Sequence, residues 1–360
     1  HHHAPQELNK PYTGCMQLSR LHLHQFRSHT DAVFEFDPHI TAIIGPNGSG
    51  KTNILEAIYT LYMGKSFRDG DDELITYMQD WYRIEGNIDD TTRELRYQPS
   101  NKGKQLIVDG TAKGRYTYRQ QLPLVLFEPD DLLMIHGSPT SRRIYIDDIV
   151  QKLYPHLRQT FQRYERVVTQ RNNVLKQRLP HAQLKDALFA WDVGLSDLGA
   201  KIITARQEVI QQLNSSLSNV YSDVAGALHT LEAVYVAPDN QQTETQLLTA
   251  LHHHLHQDSE RGFTTVGPHR HDVEFLLNSQ SAKHTASRGE VRTILLSLKQ
   301  IETQLLTSEL GYTPLLLLDD VFSELDENRQ KSLLSHTESV QKIITTTDLP
   351  KKNKAVTIEL

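Results

Sequence analysis

The chain has 360 residues, 38% of them hydrophobic and 23% charged, which is typical of a globular protein large enough for two cores. These proportions exclude a collagen-like or mainly disordered chain, and no apolar run reaches the roughly 18 residues of a membrane-spanning helix. The net charge of -6 argues against wholesale coating of nucleic acid but permits local basic patches. We therefore expect a soluble protein with no membrane partner.

The only cysteine, Cys15, lies in a leading segment that begins with three histidines. We interpret residues 1–15 as an expression-tag remnant ahead of a start at Met16. The rest of the chain has no cysteine, which excludes disulfides, thiolate catalysis and cysteine-based zinc sites. This composition is compatible with a reducing cytoplasm, where we expect the protein.

Strand-like patterns come first along the chain, over residues 18–44, and a glycine-rich turn and a helical pattern from Ile54 to Tyr62 follow. Residues 81–128 return to short alternating segments broken by turn residues, which predicts an antiparallel meander. From about 141 to 255 the chain is poor in glycine and typical of helices that pack on one another. A helix from about Ser287 and strands at 315–318 and 343–347 complete the prediction.

This order of elements predicts an α/β fold in which one domain is built from both ends of the chain. We assign residues 16–150 and 256–360 to that domain, lobe I. Residues 151–255 form an inserted helical arm, lobe II.

Residues 45–52, Gly-Pro-Asn-Gly-Ser-Gly-Lys-Thr, match the phosphate-binding loop pattern at every fixed position and lie between a predicted strand and helix. Glycines let the backbone amides turn toward phosphate oxygens, and the helix N-terminus adds positive potential. Lys51 is predicted to reach the β and γ phosphates, and the Thr52 hydroxyl is predicted to hold Mg²⁺. The predicted nucleotide-binding residues of this segment are Asn47, Gly48, Ser49, Gly50, Lys51, Thr52 and Asn53.

Four leucines at 315–318 lead into Asp319 and Asp320, which predicts a buried strand whose C-terminal edge lies beside the phosphate loop. Asp319 is predicted to hold Mg²⁺, directly or through water, and Asp320 to polarise the attacking water. Lys51 and Asp320 are thus the predicted catalytic residues. Ordinary aspartates in a turn are the alternative. The long interval between Lys51 and Asp319 requires a large insertion, unlike the site of a small kinase or GTPase.

Ser287, Arg288, Gly289 and Glu290 begin a predicted helix, and two interpretations apply to them. In the first, Ser287 and Glu290 form a capping box that is local to the chain. In the second, the Ser287 hydroxyl and the exposed amides near Gly289 bind the γ-phosphate of a nucleotide held by a facing second subunit. The segment by itself does not choose between them.

The phosphate loop, the Ser-x-Gly helix start and the acidic strand occur in the order of ABC-type ATPase heads. In detail the chain resembles the RecF family of bacterial recombination mediators more closely than transporters or SMC proteins. The resemblance spans Met16 to about Pro350, although residues 150–255 match by helical character more than by motif. The supporting segments are residues 23–28, 45–53, 137–139 with Arg142 and Arg143, 267–270, 323–326 and 345–347.

The resemblance implies an ABC-type P-loop ATPase head with an inserted helical arm, which binds ATP and Mg²⁺ and dimerises on ATP. It also implies binding to double-stranded and gapped DNA and help, with RecR and RecO, in loading recombinase. Arg27 is implied to contact the base or ribose of the nucleotide, with a surface arginine as the alternative. Asp320, where transporter heads have glutamate, implies slow hydrolysis.

The chain departs from the family pattern in its signature, where Arg288 and Glu290 replace the usual glutamines. No histidine follows the strand ending at Thr347, and we expect Thr347 or Asp348 to take over its γ-phosphate contact. We expect the Gln-loop position within residues 127–130.

The predicted arm carries seven basic residues and one acid, Glu165, between positions 152 and 178. Basic residues near helical spacing suit a DNA backbone, although a solvated helix face is the alternative. The predicted DNA contacts are Arg158, Arg163, Arg166 and Arg171. A second basic group on the meander comprises Arg93, Arg96, Lys102, Lys104, Lys113, Arg115 and Arg119.

Two other functions are compatible with the phosphate loop. A transporter ATPase subunit would need a surface for membrane helices and a shorter interval before the acidic strand. A P-loop kinase of a small substrate would not need Ser287. The histidines within residues 252–256 resemble a metal site, but few carboxylates lie near them, and we predict a linker or helix end there.

Overall fold

The structure is a computed structural model and describes residues 16–101, 103–320, 325–336, 339–347 and 355–360. Several predicted positions therefore lie outside the described residues, namely 1–15, Lys102, Ser323, Glu324 and Asp348. The chain divides into two compact units. The first unit comprises the chain up to Asp131 together with Lys299–Leu360, and the second unit comprises Leu132–Leu298.

The strands, in chain order, are β1 (Leu18–Phe26), β2 (His29–Glu35), β3 (Ile40–Ile44), β4 (Tyr82–Ile88), β5 (Thr91–Tyr97), β6 (Gln105–Val108), β7 (Thr111–Arg115), β8 (Leu124–Phe127), β9 (Leu231–Val236), β10 (Asp272–Leu277), β11 (Gln280–Ser281), β12 (Leu315–Leu318), β13 (Lys342–Thr346) and β14 (Val356–Glu359). The helices are α1 (Lys51–Met63), α2 (Leu132–His136), α3 (Pro139–Leu153), α4 (Arg158–Leu175), α5 (His181–Asn214), α6 (Leu217–Ala225), α7 (Glu244–His253), α8 (Leu255–Arg261), α9 (Ala282–Thr285), α10 (Arg288–Leu310) and α11 (Glu327–His336).

The first unit contains a parallel sheet and an antiparallel sheet. The parallel sheet has five strands in the order β14-β3-β13-β12-β8, and the antiparallel sheet has six strands in the order β2-β1-β4-β5-β6-β7. The four leucines of β12 are buried, as predicted for a strand covered on both faces. The predicted meander is confirmed by β4 to β7, after which β8 joins the parallel sheet.

One apolar core joins the two sheets of the first unit to helix α1. Its members include Leu21 and Leu23 of β1, Leu55 and Ile58 of α1, and Leu317 of β12. The alternation in β1 and the helical spacing in α1 both direct apolar side chains into this core. The core therefore fixes the start of α1 between the sheets, at the end of the loop that precedes it.

The second unit is not purely helical, because β9, β10 and β11 form a three-stranded antiparallel sheet within it. It also extends beyond the predicted arm, residues 151–255, at both ends. Helix α3 belongs to it since α3 packs on α5 and β10, and Arg142 of α3 makes two hydrogen bonds, of 2.9 and 2.8 Å, with the Asp272 carboxylate of β10.

The histidines at 252–256 lie where α7 ends and α8 begins, which confirms the prediction of a helix end. Across the described parts of the chain, we find no helix with the length and apolar character that crossing a membrane requires.

Candidate nucleotide-binding site

The phosphate loop connects β3 to α1, and its turn depends on the backbone conformation of two glycines. Gly48 and Gly50 have φ of +85° and +97°, in the left-handed region that favours glycine. A Cβ on Gly50 would also lie 3.0 Å from Ser28 Oγ and 3.2 Å from His29 Nε2. Glycine is therefore required at position 50 for two reasons. Its backbone conformation is left-handed, and the β1–β2 turn lies too close for a side chain.

Lys51 is 4% exposed, and its ammonium lies inside the loop. Its Nζ donates hydrogen bonds to the carbonyl oxygens of Gly45, at 2.8 Å, and Pro46, at 3.1 Å. A phosphate oxygen is a stronger partner for an ammonium than a neutral carbonyl, because both charges contribute to the hydrogen bond. Lys51 is therefore held where it can exchange loop carbonyls for phosphate.

Asp319 receives two hydroxyl hydrogen bonds at the C-terminal edge of β12. Thr52 Oγ1 donates to Asp319 Oδ1 at 3.0 Å, and Thr345 Oγ1 of β13 donates to the same oxygen at 2.8 Å. Burial raises the pKa of the Asp319 carboxyl above its ordinary value, and the hydrogen bonds from Thr345 and Thr52 oppose that rise. Hydroxyl and carboxylate oxygens are the ligands that Mg²⁺ prefers, so these residues fit the ion.

The sheet order explains this convergence. Strand β13 lies between β3, which leads into the phosphate loop, and β12, which leads into Asp319. All of these strands are parallel, so their carboxyl ends share one edge of the sheet, where α/β proteins bind ligands. Thr345 of β13, which the sequence analysis noted only as part of a motif, lies on the strand between β3 and β12, and its hydroxyl bonds to Asp319.

Asp320 turns the chain immediately after β12. Its φ is +50°, a left-handed conformation that aspartate tolerates better than most residues, and its backbone N–H donates to Thr345 Oγ1 at 2.8 Å. The side chain is half-buried. The structure thus places the predicted water-polarising residue at the same edge as Lys51 and Asp319, and its role stays a prediction.

Arg27 forms ion pairs within a cluster of charged residues that the sequence analysis did not predict. Its guanidinium donates to both carboxylate oxygens of Glu56, at 2.9 and 2.8 Å, and also pairs with Asp69. Burial raises the pKa of Glu56, but hydrogen bonds from Arg27, Arg68 and Ser66 outweigh it and hold that pKa below its ordinary value. Arg27 therefore fastens the β1–β2 turn to α1, and its predicted contact with the base or ribose stays a prediction.

The signal for this cluster was present in the sequence, as a glutamate on the apolar face of α1 between Leu55 and Ala57. Glu56 is fully buried, which a carboxylate tolerates only with partners. The neighbouring Asn53 also contacts the turn, because its Nδ2 donates to Ser28 Oγ at 3.1 Å.

Glu128 follows β8, within the segment where the Gln-loop position was expected. Burial raises the pKa of Glu128 to about 7, Asp131 adds to the rise, and Lys299 opposes it. The Glu128 backbone N–H donates to Asp131 Oδ2 at 3.1 Å, and Lys299 Nζ lies 3.4 Å from that same oxygen. The structure thus places a carboxyl of unusual pKa after the strand that neighbours β12.

Ser287 forms the capping box of the first interpretation. Its backbone N–H donates to Glu290 Oε2 at 2.7 Å, and the Glu290 backbone N–H donates to Ser287 Oγ at 3.3 Å. Ser287 is also exposed, and Gly289 lies in the first turn of α10. A capped helix start on the surface is compatible with the second interpretation too, since capping fixes the direction of the amides.

The basic residues of α4 are not equivalent. Arg163 and Arg166 are exposed, whereas Arg158 is half-buried and its Nε donates to the Gln151 carbonyl at 3.1 Å. Arg171 is fully buried, and its guanidinium lies 2.7 Å from Asp192 Oδ1 and 2.6 Å from Asp258 Oδ2. We therefore correct the prediction for Arg171, because a buried guanidinium paired with two carboxylates is not accessible to DNA.

The second basic group also contains both buried and exposed residues. Arg93 is buried and donates to the Gln120 carbonyl at 2.6 Å, and Lys104 pairs with Asp71 at 2.6 Å. The exposed members among the described residues include Lys113, Arg115 and Arg119.

Comparisons with known proteins extend over nearly the whole chain. Residues 17–358 match the family described as RecF/RecN/SMC N terminal domain. The DNA replication and repair protein RecF of Staphylococcus aureus strain JH9 is 35% identical over 348 residues, which cover 93% of this chain and 94% of that protein.

Two solved structures of the recombination mediator protein RecF in the RecFOR pathway are also similar. One, RecF-ATPrS, has a TM-score of 0.86 with 29% identity and covers 97% of each chain. The other, RecF-ATP, has a TM-score of 0.82 with 28% identity and covers 96% of each chain. The predicted fold class, an α/β P-loop ATPase head, is confirmed by these similarities.

Proposed function

The chain belongs to the RecF family of DNA replication and repair proteins, and on this basis we propose that it is an ATP-dependent recombination mediator. In this proposal ATP and Mg²⁺ bring two copies together, and the dimer binds double-stranded DNA near single-strand gaps. With RecO and RecR it helps to load recombinase in the cytoplasm, and slow ATP hydrolysis releases the dimer. The structures of relatives named RecF-ATP and placed in the RecFOR pathway support the nucleotide and the partners.

The proposal rests chiefly on the convergence at the edge of the parallel sheet. Lys51 lies inside the phosphate loop, and Thr52 is joined by a hydrogen bond to the buried Asp319 carboxylate. These groups supply an ammonium for phosphate and two oxygens for a divalent ion. A glycine-rich turn with a solvated lysine would have neither the buried ammonium nor the carboxylate partner.

The residues at this edge divide the chemistry among them. When bound, Mg²⁺ neutralises charge on the β and γ phosphates. Lys51 moves its hydrogen bonds from the Gly45 and Pro46 carbonyls to phosphate oxygens, and it stabilises the charge that develops there. Asp320 orients and polarises the attacking water as a general base. Aspartate reaches less far than glutamate, which is compatible with slow turnover.

The dimer is proposed to complete each site with Ser287 and the amide of Gly289 from the second copy. These groups lie at an exposed helix N-terminus, where backbone N–H groups and the helix dipole favour an anion. In the free chain Glu290 accepts from both the N–H and the hydroxyl of Ser287. Glu290 therefore orients Ser287 until the facing nucleotide competes for the same donors.

DNA is proposed to contact the exposed face of α4, through Arg163 and Arg166 and, at its half-buried start, Arg158. Sequence-independent DNA binding depends on basic groups that reach phosphate. The alternatives of a transporter subunit and a small-molecule kinase have no observation in their favour, since the similarity to RecF covers the second unit as well as the first.

Ser287→Arg tests the proposal most directly. An arginine at this exposed position leaves the Lys51 loop intact but blocks the approach of a second copy. Light scattering should give a monomer with ATP and Mg²⁺, whereas wild type becomes a dimer, and calorimetry should give the same ATP affinity for both. ATP-stimulated binding to a gapped duplex should be lost together with the dimer.

Two further variants complete the test. Lys51→Ala should remove ATP binding and dimerisation together, because the loop loses its ammonium. Ser287→Ala removes the capping hydroxyl without adding bulk and should weaken the dimer while lowering stability by about 0.5–2 kcal/mol. Dimerisation of Ser287→Arg at the wild-type ATP concentration would leave Ser287 as a local cap and remove the shared-site proposal.

A further inference from the structure

A second cluster of polar side chains lies away from the nucleotide site, on the outer face of the antiparallel sheet. In β1 the buried Leu21 and Leu23 alternate with His22 and His24, so both histidines point away from the core. Asp31 of β2 lies opposite His24 in the strand register. The three side chains therefore share one face of two adjacent strands.

The ligand atoms of this cluster lie close enough together to converge on one ion. His22 Nε2 lies 2.7 Å from Asp31 Oδ1, and His24 Nδ1 lies 3.3 Å from the same oxygen. The two imidazole centroids are 3.9 Å apart. A tetrahedral zinc ion with bonds of about 2.0–2.1 Å holds its ligand atoms about 3.3 Å apart, so small side-chain movements suffice to admit the ion.

We propose that His22, His24 and Asp31 form a binding site for a divalent transition-metal ion, for which Zn²⁺ is the best match. Two imidazoles and one carboxylate favour Zn²⁺ over Mg²⁺, which prefers oxygen ligands alone. Glu85 of β4 lies opposite His22 in the strand register on the other side of β1, so its side chain is on the same face of the sheet. The site is distinct from the Mg²⁺ position proposed at Thr52 and Asp319.

Arg83 competes with the ion. Its guanidinium donates to His24 Nε2, so this nitrogen is the acceptor and the proton of the neutral ring is on Nδ1, toward Asp31. An ion on Nδ1 requires the proton on Nε2 instead, where it would face the Arg83 donors. Arg83 must therefore turn away before the ion binds, and a variant without this guanidinium should bind the ion more tightly.

The bound ion would join β1 to β2 on the strands that lead to the turn at Arg27 and Ser28. That turn holds α1 through Glu56 and Asn53. The site therefore stabilises the first unit at the element that carries the phosphate loop, without contributing an atom to nucleotide chemistry.

Calorimetric titration of the full chain with ZnCl₂, without nucleotide, tests the proposal. The variant His22→Gln/His24→Gln should bind one ion fewer per chain than wild type. Of the 19 histidines in the chain, the other 17, including His1, His2 and His3, contribute equally to both proteins and cancel in the difference. The matched control is His253→Gln/His256→Gln, two exposed histidines whose loss should leave the site intact.

Two single variants keep the test decisive if the double variant does not fold. Asp31 has a side chain that is 69% exposed, so Asp31→Asn preserves the fold, and it should weaken the site about tenfold or more. Arg83→Gln should tighten it. Cobalt absorption bands of a tetrahedral site should appear in wild type and be lost in Asp31→Asn. Equal zinc stoichiometry and affinity in wild type, the double variant and Asp31→Asn would overturn the proposal.

Discussion

The Thr52 hydroxyl donates a 3.0 Å hydrogen bond to Asp319 Oδ1, although 267 positions separate the two residues. The parallel sheet brings them together, since β3 and β12 end at the same edge with only β13 between them. Thr345 of β13 donates to the same Asp319 oxygen at 2.8 Å. Residues from two distant parts of the chain thus meet at one carboxylate, where we propose that ATP and Mg²⁺ bind.

Asp319→Asn should remove the effect of Mg²⁺ on ATP binding. Asparagine keeps the size of the side chain but loses the negative charge that we propose holds the ion. Calorimetry with and without Mg²⁺ should show that the metal tightens ATP binding by wild type and no longer does so in the variant. Thr345→Val, which removes one hydrogen bond but leaves the carboxylate, should retain most of the effect. Equal stimulation by Mg²⁺ in Asp319→Asn and wild type would place the ion elsewhere.

Asp320→Asn should separate ATP binding from hydrolysis. The variant lacks the carboxylate that we propose polarises the attacking water, so turnover should fall about 10²-fold or more while ATP affinity stays near that of wild type. Because ATP is retained, the dimer measured by light scattering should persist longer than that of wild type. Phosphate release at the wild-type rate would assign the base to another residue.

Arg163→Glu/Arg166→Glu should weaken binding to DNA of any sequence, because exposed basic groups contact phosphate without reading bases. If each arginine contacts one phosphate, the slope of log affinity against log salt should fall by about 2. The matched control is Lys201→Glu/Arg261→Glu, which changes the net charge equally at exposed positions outside α4. Equal losses in both variants would indicate a general charge effect instead of a DNA-binding face.

For Arg171, which lies in the same helix, we expect a loss of stability instead of a loss of DNA binding. Its guanidinium is buried between Asp192 and Asp258, so Arg171→Ala leaves two carboxylates without their cation. Removal of one partner of a buried ion pair costs about 3–5 kcal/mol. Denaturant unfolding should therefore detect this variant, while the Arg163 and Arg166 variants should unfold like wild type.

The sequence predicted best where one local pattern determines the structure. The phosphate loop has fixed residues at fixed spacing, and the leucines before Asp319 indicate a strand buried on both faces. Domain limits were predicted less well, because α3 is assigned to the second unit by packing that a sequence does not display. Strand β9 was missed within a segment of helical composition, since its partner β10 lies beyond the predicted arm.

Buried charges were the other difficulty. Arg171 was grouped with its exposed neighbours by charge, yet it lies on the face of α4 that buries Tyr164 and Leu175, at positions seven before and four after it. The spacing of these three residues at helical intervals therefore indicates that Arg171 faces the core. Glu56 likewise occupies the apolar face of α1, and its partners Arg27 and Arg68 are distant in sequence, so only the folded chain identifies the pairing.

Glu128 should make the stability of the protein depend on pH in a direction opposite to that of most carboxylates. Burial raises its pKa to about 7 in the folded state, whereas an unfolded glutamate titrates near its ordinary value of about 4.3. Between these values the folded chain binds the proton more tightly than the unfolded chain. The contribution of Glu128 to the free energy of unfolding should therefore fall as pH rises from about 4.3 to 7 and level off above that range.

Glu128→Gln isolates this contribution because glutamine does not titrate. Denaturant unfolding of both proteins between pH 5 and pH 8 should show the variant gaining stability relative to wild type as pH rises. The two curves must be compared because half-buried His269, whose pKa burial lowers to about 4, reduces the stability of the protein in the opposite direction, as pH falls below about 6.5. Glu165→Gln, at an exposed position of α4, is the control for loss of one charge. Parallel curves for wild type and Glu128→Gln would show that Glu128 is ionised throughout this range, and its burial after β8 would then be offset by Lys299.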